Sequence, residues 1–263
     1  MDISIVIVNY KSKGLTLGCI KSIREANWSA LTYEIIVVDN CSDDNLGDIM
    51  KWQYPDIKFI QAGNNLGMGS GNNLGLAQAT GKYYLVMNPD TIAVSDTFQK
   101  LFRYMEEHDE VGVVGPKQYN PDSSVQSSCY RWPSLLTPLY RRTFLGAYKF
   151  SRKDLQSYLM SDFDHNSIRE VDWLLGSFLM IRATAYQAVG GFDHRFFLYF
   201  EDTDLCRRLH QAGWQIIYNP EASIIHNHNR ASAKTPWYKF FTSPSTRAHV
   251  MSWFKYLIKW HFQ

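Results

Sequence analysis

Four short runs of apolar residues in the first third of the chain predict buried β-strands. They are rich in Ile and Val, are separated by polar stretches, and lie at residues 3–8, 33–38, 57–62 and 83–87. Runs without strict alternation are typical of strands that are covered on both faces in a parallel α/β sheet. We therefore predict a mostly parallel sheet whose successive strands are joined by right-handed crossovers.

Helical spacing of apolar residues predicts the connections between these strands. Leu15, Cys19, Ile20 and Ile23 share one face of a predicted helix over residues 14–26. Residues 149–169 have no clear period, and we predict a mobile segment there. The other predicted elements are a helix at 95–108, a strand at 111–115, a hairpin or excursion at 116–128, a strand pair at 171–182, a helix that Gly213 ends, a strand at 214–218 and an apolar run that leads to His226 on a loop.

Two of the predicted strands run into a carboxylate. The second strand continues into Asp39-Asn40, and the fourth continues through Asn88-Pro89 into Asp90. Open parallel sheets bind ligands just beyond the carboxyl ends of their strands, so both carboxylates would lie where a ligand binds. Asn, Pro and Asp are also ordinary turn formers, and for residues 88–90 taken alone that simpler explanation is the stronger one.

The segment from Gly63 to Gly75 is the most biased stretch of the chain, rich in glycine and asparagine. Its glycine spacing does not match the G-x-G-x-x-G pattern of dinucleotide-binding loops, and Gly81-Lys82 lacks the flanking residues of a P-loop. A dinucleotide dehydrogenase and a P-loop enzyme are therefore disfavoured. Two interpretations stay equally open: a loop whose backbone and amides lie against a ligand, and a flexible turn into a helix.

A second dense region passes from an aromatic run into an acidic helix start. Glu201, Asp202 and Asp204 follow residues 196–200, all of which are aromatic or aliphatic. Acids in a first helical turn are commonly explained by the helix dipole, and that explanation suffices for Asp204. Glu201 and Asp202 lie directly behind the apolar run, where desolvation would raise the pKa of a carboxyl group toward that of a useful base.

Composition narrows the class of protein further. The 263 residues are 45% hydrophobic and 20% charged, enough for one large domain with a sizeable core. A net charge of +2 argues against nucleic acid as the main partner, and the four cysteines are too dispersed for a zinc site or a disulfide framework. Because no basic segment precedes the first strand and no apolar run has bilayer length, we expect no signal peptide, no membrane span and a cytoplasmic location.

Taken together, these motifs resemble those of the inverting family 2 glycosyltransferases of the GT-A fold. The branch they resemble most is that of bacterial rhamnosyltransferases of O-antigen and other cell-surface polysaccharide assembly. The resemblance implies a GT-A α/β domain with a C-terminal helical appendage. It follows the family's order along nearly the whole chain, through residues 5–10, 37–40, 64–67, 71–75, 88–90, 176–178, 191–193 and 197–208, and through His226 ahead of Ser232.

The resemblance implies roles for the residues of the donor side. Asp39 would hydrogen-bond the nucleotide base, and Asn9 and Tyr10 would border the same pocket. Asp90 matches the last acid of the family's D-x-D motif, which holds a divalent metal, Mg²⁺ or Mn²⁺, on the donor diphosphate. His226 matches a second metal ligand. The other donor-site residues implied are Asn65, Gly67, Asn72 and Asn88, the last of which replaces the first acid of the motif and weakens the expected metal site.

On the acceptor side, the resemblance makes Asp202 the general base. Glu201 beside it would position hydroxyl groups of the acceptor or of the sugar, and Trp173 and Gly176 would flank the acceptor. One base suffices for inversion in a single displacement. A retaining double displacement would instead use a carboxylate as the nucleophile, and inversion is implied by the resemblance alone.

The resemblance also implies the substrates and the domain layout. The donor would be dTDP-L-rhamnose and the acceptor a polyprenyl-diphosphate-linked saccharide. A UDP-hexose or furanose donor is one alternative, and a non-catalytic saccharide- or nucleotide-binding protein is another, although retention of the acids and of His226 argues against it. The glycosyltransferase domain would span residues 1–235, with a donor half to about 115 and an acceptor half beyond, followed by a tail at 236–263.

The tail combines basic and aromatic residues, and no acid follows Glu221. This layout is typical of a helix at an anionic lipid surface, so we expect peripheral binding to the inner face of the cell membrane. The alternative, which is about as well supported, is a helix packed on the domain or on a second copy in a homodimer. From Ser245 onward, one helical face would carry Val250, Trp253, Phe254, Leu257 and Ile258, with Lys255 and Lys259 off it.

Overall fold

Parallel strands alternate with helices through the first part of the chain. The computed structural model describes residues 1–227 and 243–261. Its first elements are β1 (Ile3–Asn9), α1 (Lys13–Glu25), β2 (Tyr33–Asp39), α2 (Leu46–Gln53), β3 (Lys58–Gln61), α3 (Met68–Leu76) and β4 (Tyr83–Met87). The strands lie in the order β3-β2-β1-β4 and all run parallel. The predicted parallel sheet is therefore confirmed.

The rest of the chain adds strands of both directions to this sheet. Its elements are β5 (Thr91–Ala93), α4 (Thr97–Glu107), β6 (Val111–Tyr119), β7 (Val125–Gln126), β8 (Cys129–Tyr130), α5 (Thr137–Arg142), a 3-10 turn (Phe144–Ala147), α6 (Lys149–Tyr158), β9 (Arg169–Glu170), β10 (Trp173–Leu174), β11 (Phe178–Arg182), α7 (Ala183–Ala188), α8 (Glu201–Gln211), β12 (Gln215–His226) and α9 (Pro244–His261). From β4 the sheet continues through β11, β6 and β12 to β5, and β11 is antiparallel to both of its neighbours. β8 and β10 form a separate ribbon.

Helices cover both faces of the sheet, which explains why its central strands lack a polar face. On one side α1, α2 and α4 bury Ile7 and Ile20 completely. On the other side α3 and α8 bury Val6 and Leu205. α3 can approach the sheet closely because Gly75 has no side chain: a Cβ there would lie 2.5 Å from Val6.

Two helices differ from their predictions. Residues 149–158 form α6, where we predicted a mobile segment. Its buried face is narrow, because Ser151 and Tyr158 are buried while most of its other side chains face outward, and so it leaves no clear period in the sequence. In α1, Leu15 is 44% exposed and Thr16 takes the predicted inward place.

His226 lies at the end of a strand rather than on a loop. The two runs predicted at 214–218 and 224–226 belong to the single strand β12, which continues through an irregularity between Asn219 and Ser223. His226 is its last residue and is 1% exposed. β10 and β11, predicted as a pair, instead pair with β8 and with the central strands.

α9 packs on the domain through a different face from the predicted one. Tyr256 is buried against Phe196 and Phe200. Lys259, predicted to point away from the buried face, bonds both Asp193 and Asp204 at 2.8 and 2.7 Å. No helix within residues 1–227 and 243–261 is long and apolar enough to cross a bilayer. The predicted boundary at residue 235 and the start of the tail lie outside the described residues.

Candidate active site

The carboxyl ends of β1 and β2 meet at a buried carboxylate, Asp39. Their parallel register places Asn9 beside it, and Asn9 Nδ2 donates to Asp39 Oδ1 at 2.7 Å. Asp39 Oδ2 accepts from Gln61 Nε2 at 2.7 Å and from the Ser42 amide at 3.0 Å. Burial would raise the pKa of Asp39, but the hydrogen bonds from Ser42, Asn9 and Gln61 outweigh it and lower the pKa. Asp39 is therefore a fixed, ionised acceptor at neutral pH.

The consecutive residues Asn9 and Tyr10 lie in opposite environments. Asn9 is completely buried, and its Oδ1 accepts from Thr16 Oγ1 at 2.9 Å while its amide nitrogen bonds Asp39. Its visible role is to orient Asp39. Tyr10 is 45% exposed, with Lys11 Nζ 5.5 Å from its ring centroid. Its predicted place at the border of a nucleotide pocket stays a prediction.

The segment rich in glycine and asparagine is a short loop that leads into α3. Asn65 Oδ1 accepts from Asn40 Nδ2 at 2.9 Å and from the Gly67 amide at 3.0 Å. Gly67 has a φ of +83°, and the carbonyl of Phe197 fills the place of a Cβ there. Asn72 is buried within α3. The loop leads into a helix, and the close approach at Gly67 is to protein backbone. Contact of this loop with a ligand stays a prediction.

Antiparallel pairing of β5 with β12 brings Asp90 next to His226. Thr91 pairs with His226, which leaves Asp90 Oδ1 3.4 Å from His226 Nε2. The Asp90 side chain is 22% exposed and that of His226 only 1%. The two residues predicted as metal ligands therefore lie together. In the described part of the chain, no group of three or more His, Cys, Asp or Glu side chains could hold a metal.

Gln126, which the sequence analysis did not single out, orients His226. Its Oε1 lies 2.8 Å from His226 Nδ1. Its Nε2 donates to Asn120 Oδ1 at 3.3 Å, which fixes the direction of the amide. Gln126 therefore fixes the orientation of the His226 ring, with Nε2 on the side of Asp90. β7 is only two residues long, so the sequence gives no clear sign of it. Its contact with His226 becomes visible only once the pairing of β7 with β6 is known.

The Asp202 carboxylate lies in the first turn of α8 and is held by backbone amides. Oδ2 accepts from the Gly176 amide at 2.9 Å, and Oδ1 accepts from the Thr203 amide at 2.7 Å. A Cβ on Gly176 would lie 3.1 Å from the Asp202 Cβ, so glycine allows this close approach. Burial raises the pKa of Asp202, and the hydrogen bonds only partly offset it. Its basicity is therefore higher than that of an ordinary aspartate.

Glu201, the neighbour of Asp202, is held by fewer donors, with one hydrogen bond from its own backbone amide. It is 8% exposed, and its Oε2 has no hydrogen-bond partner among the described residues. Burial raises the pKa of Glu201, and the charge of Asp202 raises it further. Two adjacent buried carboxylates do not both ionise readily. Because amide donors reach Asp202, we assign the proton to Glu201 and the negative charge to Asp202.

A short segment between β10 and β11 links Asp202 with the turn that contains Asn88. Ser177, which follows the amide donor of Asp202, accepts at its carbonyl from the Asn88 amide at 2.9 Å. Trp173, predicted to flank the acceptor, is 6% exposed, and its ring stacks on Tyr130 with centroids 4.4 Å apart. Trp173 therefore supports this segment from within the core.

The sequence matches a known family over the donor side of this site. The model for Glycosyl transferase family 2 matches residues 4–166, more than half of the chain, including Asp39 and Asp90. This chain belongs to glycosyl transferase family 2. It is an enzyme, a glycosyltransferase, as the resemblance implied.

Two curated relatives of this glycosyltransferase are rhamnosyltransferases. The N-acetylglucosaminyl-diphospho-decaprenol L-rhamnosyltransferase of Mycobacterium tuberculosis is 31% identical over 222 residues, covering 77% of this chain and 69% of that protein. Rhamnosyltransferase WbbL of Escherichia coli K12 is 30% identical over 236 residues, covering 86% of this chain and 83% of that protein. The predicted resemblance to the rhamnosyltransferase branch is therefore confirmed.

Solved structures establish the fold. The mannosyltransferase PcManGT from Pyrobaculum calidifontis, in complex with GDP-Man and Mn²⁺, superposes with a TM-score of 0.58 at 16% identity, over 87% of this chain. This chain spans 57% of the length of that protein. The fold of this glycosyltransferase is GT-A, a central mostly parallel sheet flanked by helices, with a C-terminal helix.

Proposed function

We propose that this glycosyltransferase moves L-rhamnose from dTDP-L-rhamnose to a polyprenyl-diphosphate-linked saccharide in bacterial surface polysaccharide assembly, with inversion at the sugar. The donor sugar is supported by the names of both rhamnosyltransferase relatives, and the lipid-linked acceptor by the name of the Mycobacterium tuberculosis relative. The observation that carries the proposal for this chain is the Asp202 carboxylate, which two backbone amides orient and which burial makes more basic.

Asp202 would act as the general base of a single displacement. The acceptor oxygen forms a bond to the anomeric carbon while the bond from that carbon to the nucleoside diphosphate breaks. The hydroxyl proton passes to Asp202, and the electron pair of the broken bond leaves with the diphosphate. Base strength matters here because proton transfer is most efficient when the pKa of the base is near the working pH.

Glu201 would stay protonated and position the substrates. A neutral carboxyl group can donate one hydrogen bond and accept others, so it can hold a sugar or acceptor hydroxyl without a second negative charge. Its Oε2, which has no hydrogen-bond partner among the described residues, supports this role. Gly176, whose amide holds Asp202, would leave room for the acceptor next to the base, above the packed ring of Trp173.

Asp90 and His226 fit a divalent cation such as Mg²⁺ or Mn²⁺. Their facing atoms are 3.4 Å apart, close to the spacing of two adjacent ligands on one octahedral ion. Gln126 holds the His226 ring so that Nε2 faces that side. A cation held there would stabilise the negative charge on the departing diphosphate. Asn88 offers an amide where the family has an acid, so the protein contributes few charges to this site.

Asp39 would read the nucleotide base. Its fixed, ionised carboxylate is suited to accept an N–H of a pyrimidine ring. The exposed ring of Tyr10 would cover the base from one side. The loop residues Asn65 and Gly67, together with Asn72 in α3, would shape the remainder of the donor site rather than supply its charge.

The enzyme would work as a peripheral protein at the cytoplasmic face of the membrane, where a polyprenyl-linked acceptor is held. The outer face of α9 supports contact with lipid, because Met251, Phe254 and Ile258 are each more than half exposed. Arg247 and Lys255 border this stripe, as expected of attraction to anionic inner-leaflet lipid. A second copy covering the same face, in a homodimer, is the competing arrangement.

A donor panel tests the proposed chemistry. Release of nucleoside diphosphate should be fastest from dTDP-L-rhamnose in the presence of a saccharide acceptor. Thymidine diphosphate should also protect the protein against heat better than uridine or guanosine diphosphate, because a ligand of the native state raises its apparent stability. Greater protection by uridine diphosphate, with turnover of a UDP-hexose, would replace the donor. Nucleotide binding without turnover of any donor would favour the non-catalytic alternative.

A further inference from the structure

An excursion between β8 and β9 carries an exposed apolar surface. Residues 135–158, which we call the α5–α6 hairpin, comprise α5, the 3-10 turn and α6. Large apolar side chains on it are 44 to 65% exposed: Leu135, Leu136, Phe144, Tyr148 and Phe150. Single exposed apolar residues are common on proteins, whereas a contiguous group marks a site of interaction.

The aromatic side chains of this hairpin form one continuous group. The rings of Tyr148 and Phe150 are stacked with centroids 5.7 Å apart. Phe144 contacts Tyr148 with a centroid distance of 6.4 Å, and Tyr140 contacts Phe150 at 5.9 Å. The rings therefore cover one another only in part and present a shared outer surface.

Positive charge surrounds this aromatic group. Lys149, Arg152 and Lys153 are exposed, and no carboxylate in the described part of the chain lies within ion-pair distance of them. The hairpin contains one acid, Asp154, which accepts from Thr137 Oγ1 at 2.7 Å and so faces inward. The outer surface is therefore aromatic and basic without compensating acids.

The hairpin is attached next to the acceptor side of the site. Tyr158, the last residue of α6, is buried and stacks on Tyr130, which in turn stacks on Trp173 of β10. The segment that follows β10 supplies the Gly176 amide to Asp202. A surface bound by the hairpin would therefore lie on the side of the molecule from which an acceptor reaches the base.

We propose that the α5–α6 hairpin binds the anionic headgroup surface of a membrane through Phe144, Tyr148 and Phe150, with Lys149, Arg152 and Lys153 supplying attraction. Aromatic rings favour the region between headgroups and acyl chains, and cations near them bind anionic lipid. The absence of exposed acids on the hairpin fits a uniformly anionic surface better than a protein face of mixed charge. This proposal rests on the proposed function in one respect: a lipid-linked acceptor is the reason to expect the membrane on the acceptor side.

Vesicle binding of the full chain tests the proposal without turnover. The protein should sediment with vesicles of equal parts phosphatidylglycerol and phosphatidylcholine at low salt, and weakly with phosphatidylcholine alone. Each cation near an anionic surface strengthens binding about fivefold, so Lys149→Gln/Arg152→Gln/Lys153→Gln should bind about a hundredfold more weakly. Phe144→Ser/Phe150→Ser should lose the binding that persists at high salt. Both variants change exposed side chains and should melt at the wild-type temperature.

A matched control removes the same charge from the opposite side of the sheet. Lys21→Gln/Lys51→Gln/Arg103→Gln, with exposed positions on α1, α2 and α4, should bind as wild type does. If this control and the Lys149→Gln/Arg152→Gln/Lys153→Gln variant lose vesicle binding equally, net charge rather than the hairpin drives binding, and the proposal is overturned. A second comparison is Phe254→Ser/Ile258→Ser on α9, which changes exposed side chains and keeps the contacts of this helix with Phe196 and Asp204.

Two further outcomes would overturn the proposal. Wild-type vesicle binding by both hairpin variants, with loss of binding in the α9 variant, would move the lipid contact to α9. A concentration-dependent increase in mass that the Phe144→Ser/Phe150→Ser variant abolishes would make the hairpin a contact between copies of the chain. Failure of the donor panel would leave the vesicle result unaffected, so an error in the proposed function and an error in the surface are distinguishable.

Discussion

The pKa values of two buried acidic regions of this enzyme are shifted in opposite directions. At the end of β2, Asp39 receives hydrogen bonds from a backbone amide and from two side-chain amides, and its pKa is lowered. At the start of α8, the pKa values of Glu201 and Asp202 are both raised. Burial acts in the same direction on all three. At Asp39 the hydrogen bonds outweigh burial, whereas at Asp202 they do not, and at Glu201 the charge of Asp202 adds to burial. This balance separates an acid suited to binding from one suited to taking a proton.

Local backbone geometry produces this difference. After β2 the chain turns so that the Ser42 amide points back at Asp39. Before α8, Tyr199 and Phe200 both adopt left-handed φ values, 69° and 66°, which is uncommon for aromatic residues. This turn sets Glu201 and Asp202 side by side against the core, and α9 supports it through the contact of Tyr256 with Phe200.

Asp202→Asn should have the largest effect. The amide keeps the shape and can still accept from the Gly176 amide, but it cannot take the acceptor's proton. We expect kcat to fall by about a thousandfold while donor affinity stays within a factor of about two. Steady-state kinetics and calorimetric titration of the donor measure the two quantities. Turnover near the wild-type rate would remove Asp202 from the role of base and end the contrast with Asp39.

Asp90→Ala tests the second strand-end acid, which is more exposed than Asp39. Loss of one of two cation ligands should weaken metal-dependent donor binding by about a hundredfold, and His226→Ala should do so by about tenfold. Titration of the donor with and without Mn²⁺ measures both effects. Donor affinity that does not depend on metal and is unchanged in both variants would show that Asp90 and His226 hold no cation.

Asp39→Asn should change binding rather than turnover, the reverse of Asp202→Asn. Loss of the charged acceptor should weaken the nucleotide by roughly tenfold, the usual cost of a hydrogen bond to a charged group. We expect KM for the donor to rise while kcat changes little. If kcat falls and KM is unchanged, Asp39 does not bind the base, and the division of labour between the two acidic regions is wrong.

The regions also differ in how well the sequence predicts them. Asp39 and Asp90 follow directly on strands whose apolar runs are local signals, so their positions were predictable from strand ends alone. The contact of His226 with Asp90 depends on the antiparallel pairing of β5 with β12. β5 is only three residues long, and no apolar run in the sequence predicts it.

Side-chain contacts were the least predictable feature of the site. The amide oxygen of Asn65 accepts from Asn40 and from the Gly67 amide, which no residue pattern could reveal. Gln126 orients His226 from a two-residue strand in a hairpin. α6 was missed because its buried stripe is narrow. The contacts of Asn65 and Gln126 join residues that are distant in the sequence. The buried face of α6 is too narrow to give a clear apolar period.

The dependence of folding stability on pH should show the same contrast between the two acidic regions, with the smallest expected effect. The folded pKa of Asp39 is lowered, so its contribution to the free energy of unfolding is present above the ordinary value of 3.8 and is lost as pH falls toward the folded value. The folded pKa of Glu201 is raised above 4.5, so its contribution is present at low pH and is lost as pH rises through the folded value. The side chain in Glu201→Gln carries no charge at any pH. The stability of this variant relative to wild type should therefore rise as pH goes from mildly acidic to alkaline. Its Tm should rise by roughly 2 to 4 °C for each kcal/mol of relative free energy of unfolding. Asp39→Asn should instead be less stable than wild type at neutral pH, with a deficit that narrows in acid. Calorimetric melts of the three proteins across this range measure both trends, and curves that run parallel would show that the two acidic regions do not differ in acid strength.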